Sequence, residues 1–260
     1  MNINRIKALF LRHLYPLRRD FDLLSDMLYW PLVDTFLWGI TSQWLGEEAG
    51  QASIVIAILM GLLLWNIIWR SQSEVSRNLM DEIWNNNLVN IFTTPLTLQE
   101  WIVSVIGLSV VKTGITMSLL IPTVYFLYDV SFFYLGWWIL VFVLAATITG
   151  WWIGFLSAGI VLREGRRMQT VIWTLPGMLL PFSAIYFPLD RLSPSMQAIS
   201  KIVPTSYIFE NMRRLIGGGS VFAPELVLSF CLNFFYLGLA IWFFVKSFQY
   251  SKEQGLARFN

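Results

Sequence analysis

The chain has 260 residues, of which 56% are hydrophobic and only 13% charged, with a formal net charge of +2 and a mean hydropathy of +0.61. Soluble domains carry about 25% charged residues, so this composition excludes an ordinary water-soluble fold. One cysteine, Cys231, and one histidine, His13, exclude an intramolecular disulfide, a thiolate metal cluster and most histidine-dependent chemistry.

A membrane span needs about 20 mostly apolar residues, and a chain of this length holds about six with short loops. Residues 1–22 carry Arg5, Lys7, Arg12, Arg18 and Arg19, with Ile3, Ile6, Phe10, Leu14, Leu17 and Phe21 at helical spacing. This is the pattern of an amphipathic helix lying in the membrane interface, broken or restarted at Pro16. The segment has no uninterrupted apolar stretch and no small-residue cleavage site, so a removable signal peptide is not expected.

The remaining residues, 23–260, read as one transmembrane domain. The first span is predicted over 23–45, interrupted by Asp26, Pro31 and Asp34, and the acidic turn Gly46-Glu47-Glu48 follows. The second is predicted over 54–69. A polar interval, 70–99, holds a predicted helix from Ser73 to Asn90. In that helix Val75, Leu79, Ile83 and Met80, Trp84, Leu88 form adjoining apolar stripes, while Glu74, Arg77, Asp81, Glu82 and Asn85 to Asn87 are polar. A short mixed-charge helix of this kind suits a rigid, transient protein contact; an interfacial helix that merely joins two spans is the plainer reading. Thr93-Thr94-Pro95 ends it.

Further spans are predicted over 101–127, 135–162, 168–187 (with Pro176 and Pro181) and 224–245, before a polar tail. Between the last two, 188–223 alternates polar and apolar residues at helical spacing and is broken at Pro204. It is predicted to form two short helices dipping back into the outer leaflet, with a surface hairpin on the headgroups as the alternative. Gly150/Gly154 and Gly154/Gly159 suit close helix packing.

Orientation follows from the basic residues. Most of the 18 Lys and Arg fall in the N-terminal segment, the 70–99 interval (Arg70, Arg77), the loop Arg163-Glu164-Gly165-Arg166-Arg167 and the tail (Lys246, Lys252, Arg258). That face is expected to be cytoplasmic, with both termini on it, in the cell (inner or plasma) membrane. The Arg163–Arg167 cluster reads as a topogenic anchor, or more sharply as a contact to a cytoplasmic partner or anionic lipid.

Asp34 and Lys112 each lie about eleven residues into a span, at similar predicted depth, where an ionisable group costs about 2.5–3.5 kcal/mol. They are expected to pair or to line a wet cavity together. The aromatic residues, 13 Trp, 20 Phe and 9 Tyr, belong mainly to interfaces and lipid-facing surfaces. Trp137-Trp138 and Trp151-Trp152 are candidates for stacking on a sugar or polycyclic substrate. No GxxxxGK[ST] phosphate loop and no HExxH metal spacing occurs, so catalysis by this chain is not expected.

Two blocks, NNNLVNIFTTPLTLQEW (Asn85 to Trp101) and LPFSAIYFPLDRLSPSMQAISKIVPTSYIFENMRRL (Leu180 to Leu215), resemble ABC type-2 membrane permeases, the membrane subunits of exporters for drugs, lipids, nodulation factors and polysaccharides. The resemblance implies an all-α integral membrane protein with six transmembrane helices and an N-terminal connecting helix. It implies a cytoplasmic coupling helix that seats in a groove of an ATP-binding subunit, matched here by Ser73 to Asn90. Glu74, Arg77, Asp81, Glu82, Trp84 and Asn85 are the candidate contacts. It also implies re-entrant helices at the outer mouth, with Pro188, Asp190, Pro204, Tyr207 and Arg213 as a candidate gate. Where the family often has a serine-glycine pair, Ser183-Ala184 stands here.

The resulting expectation is an export permease working as a homodimer with two copies of an ABC ATP-binding subunit. No cofactor or metal is expected on this chain, since ATP and Mg are used by that partner. The lipid bilayer is the remaining partner, and no nucleic acid is expected. An ion-gradient-driven secondary transporter or channel is the alternative; it would need more intramembrane ionisable residues and often an inverted repeat, and none is convincing here. The sequence does not choose the cargo.

Overall fold

The computed structural model describes residues 1–254; Arg258 of the basic tail lies outside them, as does the side chain of Arg18. The described residues are helical, without a strand. Helix α1 (Ile3–Leu14) leads through a 3-10 turn to α2 (Phe21–Leu24), which passes through a π-turn (Ser25–Tyr29) into α3 (Trp30–Ala49). Then follow α4 (Ala52–Trp84), α5 (Leu88–Thr93), α6 (Leu98–Tyr128), α7 (Trp138–Glu164), α8 (Val171–Leu179), α9 (Pro194–Ser200), α10 (Pro204–Ile216) and α11 (Ala223–Glu253). Among the described residues four helices, α4, α6, α7 and α11, are long and apolar enough to cross a membrane.

The other two predicted spans take different forms. The first is α2, the π-turn and α3, a helix with Asp34, Thr35 and Ser42 along its middle. The fifth is not one helix: α8 has nine residues and gives way to a 3-10 turn at Leu180–Phe182. Nine residues rise only about 14 Å, and Pro176 within α8 and Pro181 just after it each remove a backbone donor.

A second correction concerns the polar interval. Ser73 does not start a helix of its own. It lies within α4, which continues for 33 residues, or about 50 Å against a hydrocarbon thickness of about 30 Å. No Gly or Pro occurs between Leu62 and Trp84, and Arg70, Gln72, Glu74, Arg77 and Glu82 find partners on neighbouring elements. The helix ends where Asn86 takes a left-handed φ of 52°, a conformation asparagine tolerates well.

Side-chain contacts fix the directions of the helices. Asp26 meets Arg70 and Gly46 meets Val55, so α3 and α4 are antiparallel. Thr116 meets Met27 and Tyr128 meets Phe36, so α6 runs with α3. Gly150 lies at Ile68 and Gly154 at Val75, while Gly159 lies at Phe243 and Phe244, so α7 and α11 run with α4. The core is centred on α7, whose glycine stripe lets α4 and α11 approach on two sides. Trp151 donates to Ser109 Oγ (2.7 Å) and Trp152 to Asn233 Oδ1 (3.1 Å). Those two indoles therefore brace α7 against α6 and α11. Trp137 and Trp138 stack on each other, with centroids 3.9 Å apart.

Candidate functional site

A layer of buried charge crosses the bundle where α3, α4 and α6 meet. Pro31 has no N–H, so the carbonyl of Met27 one turn before it loses its helical partner; the Thr116 hydroxyl donates to it instead (3.2 Å). The chain widens here into the π-turn, a device found often at functional positions. Arg70 then donates to the Asp26 carbonyl (2.8 Å) and to Asp26 Oδ2 (3.1 Å). Arg77 reaches the same carboxylate at 2.6 Å. Arg70 also pairs with Glu74 (3.1 Å), whose other oxygen lies 2.7 Å from Lys112 Nζ. Pro176 creates a similar vacancy at the Ile172 carbonyl, which Gln72 fills with its amide N–H (2.9 Å).

This geometry corrects the expected Asp34–Lys112 pair. Lys112 belongs to Glu74, on the long polar half of α4, and Asp34 lies two turns further along α3 than Asp26. Periodicity alone assigned Lys112 a depth without showing that α4 carries a carboxylate to the same level. Asp26, Arg70 and Glu100 were not singled out from the sequence. The nearest signal was Pro31 soon after an acidic residue.

The polar half of α4 ends at a tip clasped by α1. Thr97 and Glu100 form a capping box at the start of α6. Glu100 also accepts the backbone N–H of Asn2 (2.6 Å), and Arg5 donates to the Pro95 carbonyl (2.6 Å). From there α1 runs along α6, with Ser104 donating to the Ile6 carbonyl, until Arg12 pairs with Glu82 at 2.8 Å. His13 lies 3.5 Å from the same carboxylate. Burial, reinforced by Lys112 and Arg12, lowers its pKa to about 4, so it is neutral at pH 7 and contributes no ion pair. A cleft of about 450 Å³ separates α1 from α5, between Arg5, Leu9 and Arg12 on one side and Asn90, Ile91 and Pro95 on the other.

Of the residues expected to face a partner, Glu74 and Glu82 are buried in these internal pairs, and Arg77 is engaged by Asp26. Asp81 is half-buried. Trp84 and Asn85 are exposed at the tip, together with Asn86, Asn90 and Thr93. Trp84 donates to Gln169 Oε1 (3.0 Å), and Arg166 bonds to the Ile83 carbonyl and to Asn86, tying the loop after α7 to the same tip.

At the opposite end, 183–216 packs against α4 and α11. Arg213 donates to the carbonyls of Ala184, Ile185 and Phe187 and pairs with Glu210 (2.9 Å). Glu210 in turn accepts the Leu189 N–H. Pro204 opens α10 and offers its carbonyl to Ser229 (2.8 Å), and Tyr207 donates to the Lys201 carbonyl (2.7 Å). Pro188 and Asp190 lie exposed on the turn between. The chain at Ile185 touches Gly61, nine residues inside the end of α4, so this cluster sits well within the bundle's length.

Ala184 is fully buried and has a φ of +60°, the left-handed conformation that a Cβ disfavours by about 1–2 kcal/mol. The departure from serine-glycine thus falls on a backbone that glycine fits. Ala184→Gly is expected to leave thermal stability in detergent unchanged or raise it by up to about 1 kcal/mol, whereas Ala184→Val should lower it by about 2 kcal/mol or more.

Between α3, α4 and α8 lies an open cavity of about 420 Å³ walled by indole rings. Trp38 stacks on Tyr186 with centroids 4.3 Å apart, and Trp69 lies 6.4 Å from Trp173. Asp34 sits on its rim, exposed on α3 beside Phe36, Leu37 and Ile40. No cation or hydrogen-bond donor engages its carboxylate among the described residues.

A family model described as ABC-2 type transporter matches residues 8–216, a stretch from the N-terminal helix through α10. No curated protein matches the chain. With the match covering most of the sequence and the apolar helices it contains, the protein is a multi-pass membrane protein that belongs to the ABC-2 type transporter family, the membrane permeases of ABC transporters.

Proposed function

We propose that this chain forms, as a homodimer, the translocation path of an exporter driven by two copies of a separate ABC ATP-binding subunit, which would bind and hydrolyse ATP with Mg. The observation that carries the reading is the tip at α5. It is a short helix between two polar exposed turns, mounted on helices of 33 and 31 residues and clasped by α1. A push on such a tip passes into α4 and α6 as rigid-body motion, because the buried charge layer and the Glu100 clasp tie α1, α3, α4 and α6 together. Trp84, Asn85, Asn90 and Thr93 would touch the ATPase, while Glu74, Arg77, Asp81 and Glu82 would brace the lever from inside.

In this reading the tip and both termini face the cytoplasm, as the basic residues favour, in the cell membrane. The chain crosses six times. Since α7 and α11 run in the same direction, 168–222 must return between them, and 172–185 climbs beside α4 from Gln72 to Gly61. The re-entrant cluster with Pro188, Asp190, Pro204, Tyr207 and Arg213 then forms the outer gate. A second copy is called for by α3. An unpaired carboxylate facing hydrocarbon costs about 2.5–3.5 kcal/mol, so Asp34 belongs to a wet path between two protomers.

The test is co-reconstitution with a partner ATPase in vesicles. Asn90→Arg with Thr93→Arg should cut ATP-driven efflux about tenfold or more while the chain still inserts and remains monodisperse. Full-rate efflux by the variant, or transport that follows an ion gradient without ATP, would overturn the reading in favour of a secondary transporter.

A further inference from the structure

We propose that the indole-walled cavity beside Asp34 binds an organic cation, a protonated or quaternary amine or an equivalent onium ion with apolar substituents. This deepens the transport reading and rests on it, since it takes α3 to face the path. Three observations converge. The cavity, about 420 Å³, falls in the range of sites for drug-sized ligands. Its wall is built from Trp30, Trp38, Trp65, Trp69, Trp173 and Tyr186, and aromatic faces attract cations through their quadrupoles, tryptophan most strongly. Its rim carries one carboxylate, Asp34, with no cationic partner among the described residues.

The second carboxylate at the cavity, Asp26, does not compete for the ligand, since Arg70 and Arg77 both hold it. Eight residues of helix separate Asp26 from Asp34, a rise of about 12 Å. A neutral sugar could stack on the same rings, yet it would gain only a hydrogen bond from Asp34. A cation gains both the ring faces and a carboxylate that no cation of this chain neutralises among the described residues. An anion of the same shape loses on both counts.

The experiment measures saturable binding to the purified full-length chain in nanodiscs of zwitterionic lipid. The probes are tetraphenylphosphonium, its near-isosteric anion tetraphenylborate, and maltohexaose. Saturable binding of the phosphonium alone is expected. It should weaken about tenfold or more in Asp34→Asn, the loss of one strong charge contact, and recover in Asp34→Glu. Asp34 is exposed, so neither change should disturb folding, and elution as a single species checks this. Equal binding of the borate, indifference to Asp34→Asn, or saturable binding of the oligosaccharide in place of the cation would each overturn the proposal. Binding needs no ATPase. A chain that binds the cation yet fails the co-reconstitution test keeps its site and loses the exporter reading, whereas ATP-driven efflux without cation binding sinks only the site.

Discussion

Glu74→Ala is expected to destabilise the protein by about 3–5 kcal/mol, the usual cost of removing one partner from a buried ion pair. Glu74 is 1% exposed, and it neutralises Lys112, 3% exposed, at 2.7 Å while also accepting from Arg70 at 3.1 Å. Arg70 keeps Asp26 after the substitution; Lys112 keeps no carboxylate within 4 Å among the described residues. An ammonium stranded in the interior must draw in water or move, and either outcome loosens the contact between α4 and α6. Replacing both partners, as in Glu74→Leu with Lys112→Met, removes the stranded charge and should recover more than half of the loss. Thermal unfolding of the purified variants in detergent gives the comparison. A double variant no better than the single would show that the pair is not what couples the two helices. Efflux separates stability from mechanics: if the pair braces the lever, the double variant should fold yet transport poorly.

Gly154→Val should have an effect of similar size for a steric reason. A Cβ on Gly154 would stand 2.7 Å from the Val75 Cβ and 2.8 Å from the Gln72 carbonyl oxygen, and one on Gly150 would stand 2.6 Å from the Ile68 carbonyl oxygen. These are backbone or near-backbone atoms that no rotamer change can remove, so α4 and α7 must move apart along their shared length. Overpacking costs about 1–3 kcal/mol even where side chains can yield, and total stabilities are only about 5–15 kcal/mol. Gly150→Val with Gly154→Val is therefore expected to abolish monodisperse protein. Gly238→Ala provides the control, because nothing lies within 4 Å of the added carbon. Size-exclusion profiles of the variants decide it. A well-folded double variant would mean that α4 and α7 are not in this contact.

Much of this molecule is legible in its composition. Long apolar runs separated by basic intervals identify a helical membrane protein, because lipid leaves backbone polar groups no partner outside the helix. The glycine spacing at Gly150, Gly154 and Gly159 is also local information, and each of the three meets a neighbouring helix closely. The amphipathic N-terminal helix was likewise readable, since its stripe is a property of one helix. The polar stretch after Arg70 misled for the converse reason. Buried polar side chains and solvated ones look alike in a sequence, so Glu74 and Glu82 seemed to face water, whereas Lys112, Arg12 and Arg70 on three helices surround them.

The pairing of Asp34 with Lys112 failed in the same way. Two charges at equal distance from their span ends make a plausible couple only while the true partners stay unseen. The sequence by itself determined the class and the long apolar helices, because these depend on hydropathy and period. Only the tertiary structure decided which charges meet, where prolines release carbonyls to Thr116 and Gln72, and that Asp34 is left open to an aromatic cavity. Those outcomes depend on the relative depth of helices distant in sequence, which packing sets and which no single stretch of residues records.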